Sequence, residues 1–120
     1  MLVDVEQVRA RGLRFDERFG AGAPLYLGDE YIFIADLLRA GLAGDAVPLV
    51  FGVHPPESSG VRWGTEADSH ARAAALNRVF GRWSPAMRLA FAVRHRRRLG
   101  GPAALLRFVR DGARPPAPAR

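Results

Sequence analysis

Asp29 and Glu30 stand side by side in "FGAGAPLYLGDEYIFIADLLRAGL", residues 19–42, where a glycine-rich loop gives way to an apolar segment. Acids at a helix start offset the dipole and meet unpaired backbone N–H groups. A carboxylate at such a junction, beside glycines that let a ligand approach the backbone, can also act as a general base toward a bound hydroxyl. His54 is the second residue with chemical potential. It closes the apolar run "AVPLVFGVHP", residues 46–55, and precedes a proline. Strand ends in α/β sheets are where ligands bind, and a histidine there can ligate a metal or contact a phosphate. The competing reading of each residue is structural: helix-terminal acids and lone histidines are commonly part of the scaffold.

The elements that must position these groups follow from pattern. Residues 2–9, "LVDVEQVR", suggest a short strand running into a helical turn. The segment "GLRFDERFGAGAPLYLG" reads as a loop that Phe15, Phe19, Leu25 and Tyr26 could pin to a core. Residues 29–40 carry Ile34, Leu37 and Leu38 on one face, widened by Ile32, Phe33 and Ala35, so a largely buried helix is predicted, with Gly41 as its stop. The continuous apolar run at 46–55 predicts a strand buried on both faces. Thr65 and Asp68 have capping-box spacing ahead of another helix. Ser84-Pro85 starts a helix expected to reach about Arg98, and Gly100-Gly101-Pro102 leads into a short last one. The tail "DGARPPAPAR" has the composition of a disordered segment.

Composition narrows the chemistry. The chain has 120 residues, 48% of them hydrophobic, enough for one small core. It contains no cysteine, which excludes disulfides, thiolate metal sites and thiol nucleophiles. The first residues, "MLVDVEQVRARG", are charged and alternating, unlike a signal peptide, so a cytoplasmic location is the default expectation. The net charge is +6, and every basic residue apart from histidine is arginine. From Arg72 onward the only acid is Asp111. Such asymmetry either faces an anionic partner or is a solvated face.

Four short motifs recur in order. They are Phe15-Asp16-Glu17-Arg18-Phe19-Gly20, then Gly28-Asp29-Glu30, then Arg39-Ala40-Gly41, then Val53-His54-Pro55. Together they make residues of about 10–60 resemble the C-terminal, acceptor-side part of the catalytic domain of family 2 glycosyltransferases. The resemblance implies an α/β fold class: a piece of the GT-A nucleotide-diphospho-sugar transferase fold with one or two strands and about four helices. It divides the chain into an acceptor-side part (1–62), basic C-terminal helices (63–111) and a tail (112–120). It implies transfer of a sugar from a nucleotide-diphospho-sugar to an acceptor hydroxyl with inversion, in envelope or polysaccharide synthesis. By position, Glu30 matches the family's catalytic base. Because Asp-Glu stands here for the family's Glu-Asp, Asp29 is the other candidate. Asp16, Gly20 and Gly22 would shape the acceptor loop, and His54 would sit near the diphosphate and its divalent metal, magnesium or manganese. The family's Asp-x-Asp metal motif does not occur in these residues. The expectation is therefore a truncated or fragmentary enzyme that is inactive alone.

The basic helices carry a separate expectation. Residues 85–110 have apolar and arginine-rich faces that could lie on an anionic membrane surface, at its inner face, or pack on another part of the enzyme. A non-catalytic basic binding module is the alternative to catalysis. Nucleic acid is the weaker partner for it, because "RHRRR" and the overall charge are unaccompanied by any recognition motif.

Overall fold

The computed structural model describes residues 1–50, 52–53 and 63–111, without the side chain of Asp111. The residues expected to form the tail, 112–120, lie outside these. Among the described residues there are five helices: α1 (Val5–Ala10), α2 (Asp29–Arg39), α3 (Glu66–Phe80), α4 (Ser84–Arg94) and α5 (Pro102–Asp111), with a 3₁₀ turn at Gly81–Trp83 joining α3 to α4.

The expected α/β architecture does not form. No sheet exists among the described residues, and extended pairing is limited to one isolated bridge between Phe19 and Leu25. Of the expected strand running into a helical turn at residues 2–9, only the helical part forms: α1 starts at Val5, where Asp4 caps it by accepting the Gln7 backbone N–H at 3.1 Å, and residues 2–4 form no strand. The expected strand over 46–55 is absent at 46–50 and 52–53. Instead the Leu49 N–H donates to the Val47 carbonyl at 2.9 Å, a three-residue turn. Val50 and Val53 are 87% and 93% exposed, so the run is not buried on both faces. The physical reason is that a strand needs a neighbour to satisfy its backbone groups, and no described segment supplies one.

The helices form three layers, with α3 between α2 on one side and α4 and α5 on the other. On the α2 side Ile32 and Phe33 are buried, and the ring of Phe15 stacks on Phe33 with centroids 4.1 Å apart. The other side holds the main cluster: Ala73, Ala92, Leu99 and Phe108, packed with Trp63, Leu76 and Phe91. Leu99 explains why α4 stops at Arg94 rather than near Arg98. Burying it requires the chain to turn back, and the His95 carbonyl accepts the N–H groups of Arg98 and Leu99 at the turn.

Arg88 ties α4 to both α5 and α3. Its side chain is buried and donates from Nε and Nη2 to the Val109 carbonyl, at 3.2 and 3.0 Å, and from Nη1 to Asn77 Oδ1. The Val109 carbonyl is one of the last-turn groups that α5 itself cannot satisfy.

Thr65 begins α3 with a full capping box: Thr65 Oγ1 accepts from the Asp68 N–H at 3.1 Å, and Asp68 Oδ2 accepts from the Thr65 N–H at 3.0 Å. Replacing Thr65 by alanine is expected to cost about 1 kcal/mol. Thermal unfolding followed by circular dichroism should show Tm lower by roughly 4–8 °C.

Candidate active site at the start of α2

The loop before α2 is held by short-range backbone bonds and by two contacts to α3. The Phe19 N–H donates to the Asp16 carbonyl, the Gly20 N–H to Leu25, and the Leu25 N–H to Arg18, at 2.9, 2.8 and 3.2 Å. Phe19 is buried, and the Tyr26 hydroxyl donates to Asp68 Oδ1, anchoring the loop to α3. Gly28, with φ of 102°, is the N-cap residue of α2 and offers no side-chain cap. A Cβ there would lie 2.9 Å from the Ala75 Cβ, so glycine lets the helix start approach α3.

Asp29 and Glu30 therefore occupy the first turn of α2, where they face the positive end of its dipole without capping it through a side-chain bond. Their surroundings differ. Asp29 is half-buried with its carboxylate against the loop: a Cβ at Gly20, whose φ is 104°, would lie 2.8 Å from Asp29 Oδ2. Glu30 is exposed. Gly22 is also exposed, with nothing within 4 Å of where its Cβ would be.

Asp16 is placed elsewhere. Its carboxylate accepts from Arg18 Nη2 at 2.6 Å and from Arg78 Nε at 2.9 Å. Arg78 also grips Asp36 on α2, through Nη1 at 3.2 Å and Nη2 at 2.8 Å. Asp16 thus joins the loop to α2 and α3 through an arginine. The hydrogen bond from Arg18 and that from Arg78 hold its carboxyl well below the usual carboxylate range, against the opposing effect of burial.

The structure thus brings Gly20 to Asp29 with Glu30 beside it, and leaves Asp16 in a structural ion-pair network. His54 lies outside the described residues. The residues described do not gather three potential metal-ligating side chains in one place. Arg78 and Asp36, which fix the loop against two helices, carry no signal in sequence, since Arg78 is 62 residues from one partner and 42 from the other.

Replacing Gly20 by alanine tests this arrangement. An L-residue in that conformation costs about 1–2 kcal/mol, and the new methyl must displace the Asp29 carboxylate. Urea unfolding should report a loss of that size, and an unchanged midpoint would contradict the contact.

The chain matches no protein-family model, no curated protein and no solved structure. No described helix is long and apolar enough to cross a membrane.

Proposed function

We propose that this chain serves the acceptor side of a sugar transfer from a nucleotide-diphospho-sugar, with Glu30 as the general base. The observation that supports this reading is the unequal pair at the start of α2: an exposed Glu30 beside a half-buried Asp29 whose carboxylate lies close to Gly20. The reaction class is what the resemblance carried by the four ordered motifs between Phe15 and Pro55 implies.

In this reading Glu30 accepts the proton of the acceptor hydroxyl. The freed oxygen attacks the anomeric carbon, a new C–O bond forms with inversion, and the bond to the diphosphate breaks. The nucleoside diphosphate leaves with that electron pair. Asp29 acts as a positioning residue, since its half-buried carboxylate fixes the first turn of α2 that carries Glu30. The setting is envelope or polysaccharide synthesis.

The test uses the native protein isolated from its source cells, with any chain that accompanies it. It is supplied with UDP-, GDP- and dTDP-linked hexoses, and nucleoside diphosphate release is measured. Release that falls sharply in Glu30→Gln supports the proposal. Equal release by both proteins, or release from none of the donors, overturns it.

A further inference from the structure

We infer that the outer face of α4 and α5 is a docking surface for an anionic lipid bilayer, a property independent of the sugar-transfer reading. The residues of α4 facing away from α3 and α5 are spaced as one stripe: Trp83, Ala86, Ala90 and Val93 are all exposed, and Arg97 continues it beyond the helix end. Leu89, one turn before Val93, is exposed as well. Leu89, Val93 and Leu106 are 54%, 58% and 58% exposed on helices that bury an opposite face.

Cations border these aliphatics. Arg94, Arg96, Arg97, Arg98, Arg107 and Arg110 are exposed, and none is paired with a carboxylate among the described residues. Arg94 to Arg98, with His95, line an open depression at the turn between α4 and α5. Between Asp68 and Asp111 the sequence contains no acid. The carboxylates of Asp29, Glu30 and Asp36 belong to α2, across α3 from this face. Asp111, the last residue of α5, is the one acid on α4 and α5, whose other charged residues are all basic.

The mixture identifies the partner. A polyphosphate backbone would engage the arginines and leave Leu89, Val93 and Leu106 in water. A bilayer surface uses both: anionic headgroups meet the guanidinium groups, while the short aliphatics enter the headgroup–acyl boundary. The exposed Trp83 suits the same boundary. The helices then lie flat on the surface rather than spanning it.

Flotation of the full chain with phosphatidylcholine vesicles, with and without 30 mol% phosphatidylglycerol as a chosen probe composition (about one lipid in three anionic), tests this surface. The wild type should float with the anionic vesicles only. The combined variant Arg94→Gln, Arg96→Gln, Arg97→Gln should partition about 100-fold more weakly, at roughly a factor of five per arginine. Leu89→Ser with Val93→Ser, at exposed positions that keep the fold, should weaken partitioning about tenfold. Circular dichroism confirms that both variants are folded. No flotation, equal flotation with neutral vesicles, or binding unchanged by the Leu89/Val93 pair overturns the inference. Retention of a 20-base-pair duplex (about two helical turns) without vesicle binding overturns it in favour of nucleic acid.

Discussion

Replacing Glu30 by glutamine is expected to slow sugar transfer by about 10²- to 10⁴-fold, the usual contribution of a positioned general base. The change removes the charge and the proton-accepting oxygen but keeps the side chain's length. Glu30 is exposed and its side chain makes no hydrogen bond among the described residues, so stability should move by no more than about 0.5 kcal/mol. That separation of activity from stability makes the substitution informative. Asp29→Asn should behave differently. The Asp29 carboxylate lies against Gly20, so its neutralisation acts on the position of the first turn. A smaller loss of rate, about tenfold, is expected together with a measurable change in stability. Glu30→Asp, which retracts the carboxylate by about one C–C bond, should fall between wild type and Glu30→Gln. Steady-state transfer rates and urea midpoints for these variants check the ordering. A larger rate loss in Asp29→Asn than in Glu30→Gln would exchange the two roles.

Arg78→Met is expected to be the most destabilising change in the ion-pair network, at about 2–3 kcal/mol. It leaves Asp16 and Asp36, whose side chains are 11% and 19% exposed, without the cation that bridges them. A fully enclosed network would lose more, but the Arg78 side chain is 32% exposed and water can partly replace it. The pH dependence gives a second readout. The folded Asp16 carboxyl titrates below its ordinary value of 3.8, chiefly through Arg18 and then through Arg78. A depressed carboxyl stabilises the fold at pH above that ordinary value, and the contribution disappears as pH falls toward the folded value. Wild-type stability should therefore decline below about pH 4. In Arg78→Met the decline should be shallower, and in Arg18→Met shallower still, because Arg18 supplies the larger part. Urea unfolding between about pH 2.5 and 6, across the carboxylate range, measures both slopes. An acid limb as steep in Arg18→Met as in wild type would contradict the assignment.

Local signals in the sequence translated directly into structure. The helix at 29–39, the Thr65–Asp68 capping box and the break at Gly100-Gly101 each depend on residues a few positions apart. Non-local features did not. The run at 46–50 has strand composition, but strand formation depends on a partner that periodicity within one segment cannot reveal. The end of α4 at Arg94 is non-local in the same way, since burial of Leu99 against Ala73 and Phe108 decides where the chain turns. At the candidate site, the adjacency of Asp29 and Glu30 was readable. Which of them faces solvent was not, because that depends on Asp29 touching Gly20 across the loop. The place of Asp16 in a motif is legible, but its ion pair with Arg78 at the far end of α3 is not, because 62 residues separate the two.

The central claim is that Glu30 takes the acceptor proton. It is tested most directly by the pH dependence of kcat/KM in wild type, Glu30→Gln and Asp29→Asn, measured with the donor the native protein turns over. A general base gives a limb of unit slope on the acid side, where its protonated form is inactive. The account predicts that limb in wild type and in Asp29→Asn, and its loss from the residual activity of Glu30→Gln. The same limb persisting in Glu30→Gln would contradict it and place the base elsewhere.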